Sequence, residues 1–136
     1  MGRISSPPRK SREHRETIEG MQVMAFHEDD VDVFKRLGWV GENNEGFLTA
    51  FNLEKENIPA ELGEFSERYS KEEFRSVVDA VNSARGLIMR RVIAINETFG
   101  PDDLPEIHRV FGKLNRENAL PGEKIQEEDG EWAVKQ

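Results

Sequence analysis

SKEEFRSVVDAVNSARGLIMRRVIAINETF, residues 70–99, is the longest unbroken helical pattern in the chain. Phe74, Val77, Val78, Val81, Ala84, Ile88, Val92, Ile95 and Phe99 recur at steps of three and four, which puts them on one face of a 3.6-residue helix. That face must bury against another element. Ser70 followed three residues later by Glu73 reads as a capping box, and Gly100-Pro101 supplies the stop. At 1.5 Å per residue the predicted helix is about 45 Å long.

Arg85 falls in the centre of this apolar stripe. An unpaired guanidinium there is prohibitively costly. It needs either a carboxylate from another segment, met in bidentate geometry, or a path for its side chain to a solvent edge. Gly86 beside it costs about 1 kcal/mol relative to alanine, which predicts a closely packed neighbour.

Residues 39–48, from Trp39 to Leu48, read as a β-hairpin turning at Asn43-Asn44. Gly41 is then opposite Gly46, and the close backbone approach directs Glu42 inward as first choice of partner for Arg85. A second hairpin spans about 123–135, where Asp129-Gly130 fits a two-residue type I′ turn. That register sets Ile125 opposite Val134 and Glu127 opposite Trp132 on one face, with Gln126 and Ala133 on the other. The two hairpins together make a small sheet at one end of the helices.

Pro101 opens a second helix, with Leu104, Ile107, Val110, Phe111 and Leu114 facing inward and His108 at the surface. It pairs antiparallel with the first. Towards the amino terminus, Ile18, Met21 and Ala25 are helically spaced but sparse, and Gly20 interrupts them. Within His27-Glu28-Asp29-Asp30 the spacing matches neither a zincin nor a calcium loop, so Asp29 or Asp30 is read as the cap of a short helix through Val31, Phe34 and Leu37. Residues 49–69 are a linker with one turn. The fold class is therefore α+β and mostly α, with two long antiparallel helices, a shorter N-terminal helix and two small hairpins. A single domain over 16–136 follows a disordered basic tail of residues 1–15.

The absence of cysteine removes disulfides, thiolate nucleophiles and cysteine zinc sites. No apolar run approaches a membrane span, and the amino terminus lacks the apolar core of a secretory signal. Net charge is −8, with +4 in residues 1–15 and −12 in the remainder. An acidic body argues against nucleic acid as a partner of the folded surface, because phosphate contacts need clustered Lys and Arg. Nothing in the sequence calls for a metal or a cofactor.

Val40-Gly41-Glu42, then Gly46-Phe47-Leu48, Val81-Asn82-Ser83-Ala84-Arg85 and Ala119-Leu120-Pro121-Gly122-Glu123 with Asp129-Gly130-Glu131-Trp132, resemble in order and spacing the YdbL family over about residues 33–135. That family was long filed as a domain of unknown function. The resemblance implies a small envelope protein of Gram-negative bacteria, usually exported to the periplasm. It also implies a chaperone-like role in limiting assembly of a small lipoprotein onto an AsmA-like phospholipid bridge, without chemistry. Gly41, Glu42, Gly46, Asn82, Arg85, Pro121, Gly122 and Gly130 are the motif positions. The chain departs from the pattern in its charged amino-terminal extension, its longer 49–69 segment and its lack of a signal peptide, so a cytoplasmic location stays open.

The expected function is thus non-enzymatic binding of an envelope protein. Trp132 is its anchor, with Gln126 and Ile125 beside it, because tryptophan is enriched at binding hot spots. Alternatives are a small enzyme using Glu42 and Arg85, or an anion- or membrane-binding module using the basic tail.

Overall fold

A computed structural model of the protein describes residues 9–136. Helix α1 (Arg9–Arg36) leads into strand β1 (Val40–Glu42) and strand β2 (Leu48–Ala50). A 3₁₀ turn (Ala60–Leu62), α2 (Gly63–Arg68) and α3 (Lys71–Ile95) follow. A second 3₁₀ turn (Pro101–Asp103), α4 (Leu104–Asn118), β3 (Lys124–Gln126) and β4 (Trp132–Val134) complete the chain. The architecture is α+β and mostly α, with one four-stranded sheet.

The long antiparallel pair is α1 with α3, and the N-terminal helix is the longest of the described helices rather than a shorter one. Thr17, Gly20, Met24, His27, Val31 and Phe34 are among its buried or half-buried positions, at alternating steps of three and four. On α3 the matching seam is Phe74, Val77, Val81 and Ala84. Such a spacing is that of two helices crossing at a shallow angle. Gly20 does not interrupt α1, because a Cβ there would come within 3.3 Å of the Ala84 carbonyl. The close approach offsets the propensity cost of glycine, so no second helix begins at Asp29 or Asp30. Helical structure already present from Arg9 also shortens the expected basic tail, whose residues 1–8 lie outside the described ones.

Gly38, at φ +75°, ends α1. Its N–H donates to Lys35 O at 3.0 Å and the Trp39 N–H to Phe34 O at 2.9 Å, the paired bonds of a Schellman motif. The reversal drops Trp39 into the core among Phe34, Phe65 and Phe74, with its indole N–H donating to Glu54 O at 3.0 Å. Residues 49–69 are accordingly more than a linker, since they deliver Leu62, Phe65 and Ser66 to the interior.

Ser70 caps α3 by accepting the Glu73 N–H at 3.1 Å. The helix stops at Ile95, short of Phe99, because the Asn96 side chain accepts both the N–H and the O–H of Thr98 and turns the chain. Its last turn is not core: Ile95 is 62% exposed. Only Ile107 and Gly112 of α4 are buried, and Val110 and Leu114 face solvent, contrary to the expected stripe. The cause is a wedge. The turn between β1 and β2 sits between α3 and α4, where a Cβ on Gly46 would lie 2.8 Å from both Met89 Cε and Phe111 Cβ.

Strand order is β2-β1-β3-β4, with β1 and β3 parallel and the two hairpins antiparallel. Both hairpins differ from the two-residue turns expected. Asn43 N–H donates to Phe47 O and Gly46 N–H to Asn43 O, while Glu127 N–H donates to Glu131 O and Gly130 N–H to Glu127 O. Each loop therefore has three residues and ends on a glycine at positive φ, +87° for Gly46 and +93° for Gly130, the form of a type I turn with a G1 bulge. Neither Asn43, Asn44 nor Asp129 adopts the positive φ that type I′ demands. Gly41 consequently faces Thr49 rather than Gly46, and Ile125 faces Ala133 rather than Val134.

Two helical glycines differ in what surrounds them. A Cβ on Gly112 would lie 2.3 Å from Asn44 O, whereas one on Gly86 would meet nothing nearer than the flexible Arg90 guanidinium at 3.4 Å. Gly86 thus lacks the tight neighbour anticipated for it. Gly86→Ala is predicted to stabilise the protein by about 0.5–1 kcal/mol, and Gly112→Ala to destabilise it by about 1–3 kcal/mol. Urea denaturation of the two variants checks both signs.

Candidate functional site

Glu42 is the most buried charge in the described structure, its side chain 3% exposed. Being on β1 beside two glycine-permitted contacts, it points towards the α1–α3 seam. There Arg85 Nη1 donates to Oε1 at 2.7 Å and Nη2 to Oε2 at 2.9 Å, the bidentate fork that an arginine inside an apolar stripe requires. Arg85 Nη1 also donates to Gly46 O at 3.1 Å, tying the fork to the wedge turn. Lys35, from the last turn of α1, places Nζ 2.8 Å from Glu42 Oε2. One carboxylate thereby joins α1, β1 and α3. Lys35 was not foreseen, although its place one residue after the core Phe34 puts it at the margin of the buried face.

Burial alone would raise the Glu42 pKa, but the hydrogen bonds and charge of Arg85, with the charge of Lys35, outweigh it and hold the carboxyl below its ordinary value. Tyr69 goes the other way. Burial and its hydrogen bond to Asp30 raise its phenol well above the usual tyrosine value.

Asn82 shows why an amide stands on the inner face of α3. Its Oδ1 accepts the Leu48 N–H at 2.8 Å and its Nδ2 donates to Leu48 O at 3.0 Å, so it mimics a neighbouring strand on the outer edge of β2. Leu120-Pro121-Gly122-Glu123 is a type II turn, with Gly122 at φ +92° and the Glu123 N–H donating to Leu120 O at 3.1 Å. The Glu123 carboxylate returns the bond by accepting the Leu120 N–H at 2.9 Å.

The terminal hairpin has two faces. Ile125 lies on the core side of the sheet with Val40, Glu42 and Leu48 of the first hairpin, and all four are buried. On the opposite side Trp132 lies over Gly41, where a Cβ would be 2.7 Å from its ring, and packs edge-on against Phe51 with centroids 4.9 Å apart. Phe51 was not among the expected site residues. Ile125, at 5% exposure, is withdrawn from any partner surface. The corrected register explains this, because a slip of one residue moves a side chain to the other face. Gln126 is engaged by the Asn44 N–H and by Gly130 O, leaving Trp132 and the 53% exposed Val134 as the apolar surface of the hairpin.

The sheet's two edges differ. Asn82 occupies the β2 edge. On β4, residues 131, 133 and 135 turn their backbone groups towards β3, so those of Trp132 and Val134 point outward. Among the described residues only the Gln136 amide reaches that edge, donating to Val134 O at 3.3 Å. His108 is half-buried rather than superficial, edge-on to Phe47 at 5.3 Å. No group of His, Asp and Glu among the described residues could hold a metal ion, and no described helix is long and apolar enough to cross a membrane.

Arg85→Ala is predicted to cost about 3–5 kcal/mol, because it strips the fork from a buried carboxylate. Arg85→Met, which keeps the aliphatic volume, should cost clearly less, and equal losses in denaturant titrations would contradict the packing part of this account. The pH dependence has a definite sign. With the folded pKa of Glu42 depressed, its contribution is complete above the unfolded value and lost as pH falls through the folded one. The stability gap between the wild type and Glu42→Gln should therefore narrow on acidification, and a constant gap would be the contrary result. No family model, curated protein or solved structure matches the chain, which leaves its own surface chemistry and the motifs quoted above as the basis for a functional reading.

Proposed function

We propose that the protein is a non-enzymatic binding and assembly factor of the bacterial cell envelope, periplasmic or envelope-associated, that takes a protein partner at its terminal hairpin. The observation that carries this reading is the contrast between the two sheet edges. On the β2 edge Asn82 bonds both outward groups of Leu48, whereas on the β4 edge the outward groups of Trp132 and Val134 meet, among the described residues, only the exposed Gln136 amide, at Val134 O, beside exposed Val134 and half-buried Trp132. An extended segment of a partner could add to such an edge by main-chain hydrogen bonds, with the tryptophan as anchor. The resemblance to the YdbL family supplies the kind of partner, an AsmA-like protein or a small lipoprotein.

The enzyme alternative loses ground on the chemistry of its key residue. A carboxyl held below its ordinary pKa by two cations is a weak base at neutral pH and has no proton to give. Both of its oxygens are already bonded to Arg85 and Lys35. The cluster is better suited to holding the sheet on the helices.

Photo-crosslinking in the native cell tests the proposal, with a probe replacing Trp132 in one strain and exposed Asp79 on α3 in another. A discrete envelope-protein adduct from position 132 alone is the expected result. Equal adducts from both positions, or none from position 132, would overturn it.

A further inference from the structure

The open edge of β4 carries a sequence that is complementary to itself. Residues 131–135 read Glu-Trp-Ala-Val-Lys, acidic at one end and basic at the other about a central alanine. We propose that β4 pairs antiparallel with β4 of a second copy of this chain, about a two-fold axis at Ala133, to make a continuous eight-stranded sheet. Sheet edges are the usual template for such pairing unless something blocks them.

Three features fix the register. Glu131, Ala133 and Lys135 spend their backbone groups on β3, as shown by the Glu127 N–H to Glu131 O and Lys135 N–H to Glu123 O bonds, both 2.8 Å. Trp132 and Val134 alone therefore offer outward N–H and C=O groups. Centring the pair on Ala133 sets Trp132 opposite Val134 of the second copy, and all four strand-forming residues then exchange bonds. The same register sets Glu131 opposite Lys135 of the second copy, twice over by symmetry.

The side chains suit this arrangement. Trp132 and Val134 lie on the same outer face; the indole is turned back over Gly41, away from the edge, so it does not obstruct an incoming strand, and the pairing sets the 53% exposed valine beside the Trp132 backbone of the other copy. Glu131 is exposed, and its carboxylate has no ion-pair partner among the described residues. Lys135 is held in place at the strand end, its Nζ donating to Arg116 O at 3.0 Å. The Gln136 amide on Val134 O is an exposed contact that the incoming N–H replaces.

The inference rests on the parity and charge of this strand, independently of the envelope reading, although a partner strand would compete for the same edge. Sedimentation equilibrium of the full chain over a wide concentration range tests it. The wild type should show a monomer–dimer equilibrium. Val134→Pro removes an N–H that points outward, leaving the bonds to β3 intact, and should be monomeric throughout. Glu131→Lys replaces both opposite-charge pairs with like-charge pairs and should weaken dimerisation roughly tenfold or more. A wild type that is monomeric at every concentration would overturn the proposal. So would a dimer that persists undiminished in Val134→Pro or in Glu131→Lys, because that dimer would use another surface.

Discussion

A single buried carboxylate sets the arrangement of this protein. Glu42 enters the interior from a three-residue strand, and its charge is tolerable only because Arg85 comes from α3 and Lys35 from α1. Removing two or three ions from water is costly, so the gain of the cluster over an apolar equivalent is small. Its effect is on specificity. Sliding β1 by one residue would turn Glu42 to solvent and leave two cations facing Gly41 or Asn43, which disfavours alternative registers for the sheet on the helices.

The remaining constraints are steric and act around the same point. Gly46 and Gly112 let the turn beside Glu42 insert between α3 and α4, with Gly46 against Met89 and Phe111 and Asn44 against Gly112. Gly41 makes room for Trp132 on the other side of the sheet. Asn82 bonds the outward groups of Leu48 on β2, and Gln126 and Asn44 link the two hairpins. The parallel pairing of β1 with β3 follows, since both hairpins use the same loop geometry and lie side by side.

Much of this was legible in the sequence where one residue conflicts with its surroundings. An arginine inside the stripe of α3 demanded a carboxylate, and the glycines around Glu42 indicated where it would come from. Long-range packing was not legible in the same way. The seam of α1 uses Thr17, Gly20 and His27, which carry no hydrophobic signal, so its continuity depends on Ala84 across the interface. The apolar residues of α4 suggested a wider contact with α3 than the wedge turn leaves, so that Val110 and Leu114 stay exposed. Both hairpin registers missed by the same error, because Asn-Asn and Asp-Gly allow two-residue turns while Gly46 and Gly130 take the bulge position of three-residue ones. That error moved Ile125 onto the face of Trp132 when it belongs to the core.

The division of labour is then between a fixed end and an open one. The charged cluster and the glycine contacts tie the β1–β2 side of the sheet to the helices, and the β4 side turns the backbone groups of Trp132 and Val134 outward, where among the described residues only the Gln136 amide meets them. The central claim is the ionised, doubly paired state of Glu42. Carboxyl carbon NMR across an acid titration, with Glu42→Gln to assign the resonance, tests it most directly. Glu42 should remain ionised at pH values where the exposed glutamates are already protonated, whereas a midpoint at or above the ordinary glutamate value would contradict the account.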